Sequence, residues 1–252
     1  MIKESDLCFN IISVDTLHFG YLCAICYIPN EIILTNADIE RIKLNALIRK
    51  IKFLTIASPK PLNYLVLQAP GALYEYEEIF ERVKEKASCF KFRYCIEPIG
   101  NHNWDHVEEI AKHRSENRFS ADNNFTEHEV FTHKLALYKL HMQRFPNLAF
   151  LAYSNNGDPL GYYFCSFEKN EKPTSSKYDM VMYDLVVRPN YRTGLVALNL
   201  INACLIEASK NVILPNKVLT KIYCNNKFSD GFFTKLGLKK NGKKEYFYHI
   251  WL

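Results

Sequence analysis

Glycine and proline are scarce in this chain, 9 and 10 of 252 residues, and no stretch is biased enough in composition to read as a linker or a disordered tail. Long apolar runs are missing too. Runs such as residues 21–28 and 64–67 fall far short of the ~18 that read as a spanning helix, so no membrane partner is expected. The first ten residues carry Lys3, Glu4 and Asp6 without an apolar core, which argues against a secretory signal and for a cytoplasmic location. A net charge of +5, scattered along the chain, excludes the concentrated basic face of a nucleic-acid binder and still suits an anionic ligand such as a nucleotide. No group of side chains has metal-ligand spacing, so no metal is expected.

Cysteine is not scarce. Eight are present, mostly inside apolar strand or helix patterns, where a thiol acts as a small hydrophobe. Without an export signal they are expected to be reduced. Cys23 and Cys26 have the spacing of half a zinc site, but no second ligand pair accompanies them, and a strand would turn them to opposite faces.

Hydrophobic residues make up 48% of the chain and charged residues 23%, the profile of a well-cored globular protein of two small domains or one large one. Residues 1–96 alternate strand-like and helix-like segments: strands over 19–28 and 53–57, a helix over 36–51 capped by Asn36 or Asp38, an acidic helix over 71–86, and a strand over 89–96. This rhythm predicts a small α/β domain. Residues 97–252 read as a second domain. It opens with a helix near 107–114, a polar loop at 115–124 and a helix over 127–143. Strands at 148–153 and 160–167 flank the hairpin signal of residues 154–158. A strand over 180–187, an apolar helix over 194–209, a strand over 218–223, a helix over 229–236 and a last strand over 246–251 follow.

Residues 183–197 carry the most chemistry. A strand ends, Pro189 breaks its ladder, a basic turn containing Gly194 follows, and a helix opens. Helix-start amides lack intrahelical partners and sit at the positive end of the dipole, which makes a cradle for a pyrophosphate. Arg192 adds charged donors beside it.

Here the sequence resembles the GNAT superfamily of N-acetyltransferases. Val187, Pro189, Tyr191 and Arg192 stand in that family's order and spacing, while the turn from Arg192 to Ala197 is re-spaced. Asn226, Ser229, Phe233 and the Lys235-Leu236-Gly237 turn resemble a second family motif downstream. The resemblance covers roughly the last 155 residues. It implies a GNAT fold, a central mixed and mostly antiparallel sheet flanked by helices, preceded by the small α/β domain on the acceptor side. It also implies acetyl-CoA as acyl donor. Leu185, Val186 and Val187 would pair with the pantetheine arm; Arg192, Thr193, Gly194, Leu195 and Val196 would hold the pyrophosphate; Asn226 and Phe233 would flank the thioester. Phe233 falls where the family carries a tyrosine acid, and a phenyl ring has no proton to give.

Residues 15–20, Asp-Thr-Leu-His-Phe-Gly, and 117–122, with Arg118, Phe119 and Asp122, resemble the dTDP-fucosamine N-acetyltransferase group. That resemblance implies a nucleotide-linked amino-deoxy sugar as acceptor, with Arg118 on a diphosphate, Phe119 stacked on a ring, and His18 and Asp122 in the same cleft. Asp184, among apolar strand residues, is the candidate general base, since burial disfavours the charged carboxylate and suits amine deprotonation. Three alternatives stand: another small amine or peptide acceptor, a CoA-binding GNAT-fold protein without catalysis, and an acyl carrier protein donor. A homodimer is compatible with the last strand.

Overall fold

The computed structural model describes residues 9–12, 22–29, 32–62, 68–89, 91, 93–113, 127–144, 148–169, 178–210 and 214–252. The chain divides into two compact units, one of residues 1–74, 116–136 and 243–252 and the other of residues 75–115 and 137–242. The boundary expected at 96/97 therefore lies inside the second unit. Two long strands, β4 (Gln68–Ile79) and β10 (Lys239–Trp251), contribute one end to each unit.

In the first unit, β1 (Phe9–Ile11) pairs antiparallel with β2 (Cys23–Tyr27), and β2 pairs parallel with β3 (Phe53–Ser58). A parallel pair needs a crossover, and α1 (Asn36–Ile48) supplies it. The end of β10 then pairs antiparallel with β3, Trp251 opposite Phe53. Ile39, Ile42 and Ala46 of α1 close on Ala24, Cys26, Ile56, Tyr248 and Ile250, an apolar core in which each methylene removed from water contributes about 0.8 kcal/mol. Thr35, not Asn36 or Asp38, caps α1. Its hydroxyl accepts from the Asp38 amide while the Asp38 carboxylate accepts from the Thr35 amide at 3.0 Å.

In the second unit, β5 (Cys95–Pro98), β6 (Ala149–Tyr153), β7 (Pro159–Lys169) and β8 (Tyr178–Val187) form an antiparallel run. β9 (Lys217–Tyr223) pairs parallel with β8 across the helix α5 (Leu195–Ala208). Further helices are α2 (Phe80–Ser88), α3 (Trp104–Ala111), the latter part of α4 (Glu127–Arg144) and α6 (Lys227–Leu236). The β6–β7 hairpin turns on Ser154, whose Oγ accepts from the amides of Asn156 and Asp158, with Gly157 at φ 87°. The result is the mixed, mostly antiparallel sheet flanked by helices that the motifs imply.

Three expectations need correction. Residues 71–79 are strand, not helix. Tyr74-Glu-Tyr-Glu77 alternates with period two, and Glu75 and Glu77 accept hydrogen bonds from Asn241 on β10, a partner that helical periodicity ignores. β5 begins only at Cys95 rather than at residue 89. Cys23, Cys26, Cys165 and Cys204 are buried thiols, but Cys89, Cys95 and Cys224 are exposed, because they fall in turns and on the edge strand. Cys23 and Cys26 are both buried since β2 is covered on either face, as parallel strands usually are.

Candidate functional site

The β8–β9 ladder ends where Met182 stands opposite Thr220, although β8 continues to Val187 and β9 to Tyr223. β8 meanwhile stays paired to β7 on its other side, Val187 opposite Gly161. Beyond Met182 the two parallel strands part and form a wedge. Main-chain groups of residues 183–187 border it, an edge suited to an extended, amide-bearing chain. A bulge marks the same place: Cys165 pairs with Met182 and Phe164 with Asp184, so Tyr183 is the extra residue.

At the end of β8 the chain makes a 3-10 turn over Pro189–Tyr191 and reaches Gly194 at φ 91°, a left-handed conformation that glycine adopts without a Cβ penalty. The Leu198 amide closes back on the Gly194 carbonyl at 2.9 Å, and no side chain caps α5. The amides of its first turn, Leu195 and Val196 among them, are thus donors with no carbonyl of the helix in front of them. By contrast α1 is capped by Thr35, and α6 by Asn226, whose Oδ1 accepts from the Ser229 amide at 3.0 Å. Asn226 thus has a structural role first, and its Nδ2 is the group suited to a ligand.

Arg192 braces the turn. Its Nε donates to the Val187 carbonyl and one terminal nitrogen to the His113 carbonyl, both at 2.9 Å. Two of its five donors are thereby used on the backbone, and its positive charge is held beside the start of α5. Thr193 and Leu195 flank Gly194, Thr193 exposed and Leu195 half-buried, while Val196 is buried beneath. On β8, Leu185 is half-buried and Val186 and Val187 are buried.

Asp184 points into the protein and is 8% exposed. The Tyr138 hydroxyl, from α4, donates to its Oδ2. The Tyr162 hydroxyl, from β7, lies 2.8 Å from the Tyr138 oxygen and 3.3 Å from the same Oδ2. Each phenol has one proton, so the shorter contact makes the chain Tyr162 to Tyr138 to Asp184. Phe164 stacks on Tyr138 with centroids 4.7 Å apart and an interplanar angle of 16°, and Tyr162 meets both rings edge-on. Sequence reasoning missed these hydroxyls. Alternation along β7 does put Tyr162 and Phe164 on one face, but nothing local pairs that face with α4.

Phe233 is 5% exposed and packs edge-on against Phe232, whose half-buried ring lies beside Gly194. Phe232 is thus a further residue at the turn that spacing alone did not single out. His18, Arg118, Phe119 and Asp122 lie outside the described residues. Among the described residues no group of three or more His, Cys, Asp or Glu could hold a metal ion, and no helix is long and apolar enough to cross a membrane.

No protein-family model and no curated protein matches this sequence. Solved structures do. A functionally unknown conserved protein from Staphylococcus epidermidis is 14% identical with a TM-score of 0.66, over 99% of this chain and 92% of that one. A tandem GNAT protein from the clavulanic acid biosynthesis pathway is 14% identical with a TM-score of 0.54, over 92% of this chain and 76% of that one. A GCN5-related glucosamine N-acetyltransferase region of a fungal multi-domain beta-N-acetylglucosaminidase is 9% identical with a TM-score of 0.57, over 97% of this chain but 31% of that one. At such identities the likeness is one of fold, and the fold is GNAT.

Proposed function

We infer that the protein is an acyl-CoA-dependent N-acyltransferase, with acetyl-CoA as donor. One observation carries the reading: the uncapped first turn of α5 follows β8 where β8 has parted from β9. A dipolar anion cradle beside an open strand edge fits a molecule with a pyrophosphate at one end and an amide-bearing arm at the other. Residues Arg192 to Val196 would hold the pyrophosphate, through the amides of Gly194 to Val196 because those of Arg192 and Thr193 already close on Pro189 and Tyr191, and residues Leu185 to Val187 would take the pantetheine. The thioester would then lie near the bulge at Tyr183.

The acceptor amine attacks the thioester carbonyl, and a strand amide near Leu185 stabilises the oxyanion. The nitrogen gives a proton to Asp184 as the carbon–sulfur bond breaks, and CoA leaves as the thiolate, which takes a proton from bulk water. No covalent enzyme intermediate is needed. As acceptor we favour a dTDP-linked 4-amino-4,6-dideoxyhexose. The resemblance at residues 15–20 and 117–122 supports it, with His18, Arg118, Phe119 and Asp122 as its contacts. The similarity to a glucosamine N-acetyltransferase region supports an amino sugar in general.

A second reading has its own observation. Phe233 replaces the family's tyrosine acid, which favours a protein that binds CoA without turnover. Thiol release from acetyl-CoA, screened over dTDP-amino sugars, polyamines and aminoglycosides, decides between them. Release with a dTDP-amino sugar alone supports the full reading, and release with other amines keeps only the acyltransferase. CoA binding by calorimetry with silence on every amine supports the second reading.

A further inference from the structure

We propose that Tyr138 and Tyr162 are positioning residues for acyl transfer, acting through Asp184. This deepens the acyltransferase reading and rests on it. Three observations carry it. The first is cost: a carboxylate only 8% exposed is expensive to bury, and an apolar residue at this strand position would pack without that penalty. The second is place. Asp184 follows the bulged Tyr183 and lies just past Met182, where β8 leaves β9, so this residue stands on the part of the strand that borders the wedge.

The third is organisation. Asp184 is met by a one-directional chain of hydroxyls, Tyr162 to Tyr138 to Oδ2, whose terminal ring is clamped by Phe164 and by the edge of Tyr162. Hydrogen bonds in such a chain polarise one another, so the outer phenol strengthens the inner one. The carboxylate is thereby held in place beside the strand where the thioester would lie. Neither tyrosine touches substrate in this scheme, and no proton leaves them. The proton lost by the attacking amine goes to Asp184, and the phenols fix where that acceptor stands.

The test uses the full chain with acetyl-CoA and the amine that gives thiol release in the panel, comparing Tyr138→Phe, Tyr162→Phe, Asp184→Asn and the double variant Tyr138→Phe/Asp184→Asn. Both phenylalanine variants are expected to bind CoA with unchanged affinity in calorimetry. In Tyr138→Phe, kcat should fall roughly tenfold to a hundredfold with KM for acetyl-CoA unchanged. The loss in Tyr162→Phe should be smaller, since its hydroxyl acts through that of Tyr138. The double variant should be no slower than Asp184→Asn, because the tyrosine has nothing left to position.

Unchanged kcat in both phenylalanine variants, or additive losses in the double variant, would overturn the proposal and leave the acyltransferase reading standing. A wild-type chain that binds CoA and transfers to no amine overturns both. Should Tyr138→Phe not fold, Tyr162→Phe alone decides by the same split of kcat against KM.

Discussion

The ring of Phe232 on α6 lies against Gly194 at the start of α5, so that a Cβ built on Gly194 would come within 3.7 Å of the ring carbon Cε2. The glycine is required there by its φ of 91°, which is left-handed, while the ring stands at ordinary contact distance. Gly194→Ala should cost about 1–2 kcal/mol of stability from backbone strain. CoA affinity by calorimetry should weaken roughly tenfold. Gly157→Ala is the control: φ is 87° and nothing lies within 4 Å, so it should show similar strain with unchanged CoA affinity.

Gly161 presents a different constraint. A Cβ there would stand 2.7 Å from the Val186 carbonyl oxygen, inside any permitted contact, and that oxygen belongs to the backbone of the candidate pantetheine strand. Gly161→Ala must push β8 away from β7. The expected loss is about 1–3 kcal/mol in chemical denaturation, accompanied by weaker CoA binding. A variant of wild-type stability would show that the two strands are not held this closely.

Tyr163 supplies the pH dependence. Its hydroxyl is fully buried beside the Cys165 and Cys204 thiols. Burial first, then the neighbouring thiols, pushes its pKa well above the ordinary tyrosine range. The folded chain therefore keeps a proton that the unfolded chain loses above about pH 10. Its contribution to stability is full below that pH and is lost as pH rises further. Burial likewise pushes the Cys204 thiol up, which starts the same decline from about pH 9. Tyr163→Phe removes this titrating group and should flatten the loss in urea melts at about pH 10.5.

Thr35 holds the start of α1 through its paired bonds with Asp38. Thr35→Ala should lower stability by about 1 kcal/mol in thermal or urea melts. CoA binding is expected to be unchanged, because the proposed cradle belongs to α5. A drop in CoA affinity would place a donor contact in the first unit.

Much of the fold could be read before any coordinates. Helical spacing of Ile39, Ile42 and Ala46 marks α1, and the polar residues from Ser154 to Asp158 mark the β6–β7 hairpin. The strand, Pro189, Gly194 and helix succession was legible because its bonds close within a few residues, as from Leu198 to Gly194. β4 was misread because strand and helix compete on equal terms in a short acidic run. Asn241 tips the balance from more than 160 residues away. The first helix cap was misplaced by one to three residues, since Thr35, Asn36 and Asp38 are all capable caps and only the backbone at Thr35 is extended.

By itself, then, the sequence determined the class of the fold, the strand–turn–helix succession at Pro189 and Gly194, and the presence of a carboxylate on β8. Each of these depends on interactions between near neighbours in the chain. Tertiary structure alone decided where β8 leaves β9, which aromatic ring meets Gly194, and which hydroxyls reach Asp184. Tyr162 and Tyr138 lie 22 and 46 residues from that carboxylate. Strand register and the seating of a helix on a sheet bring them together, and both are set by the packing of the whole unit.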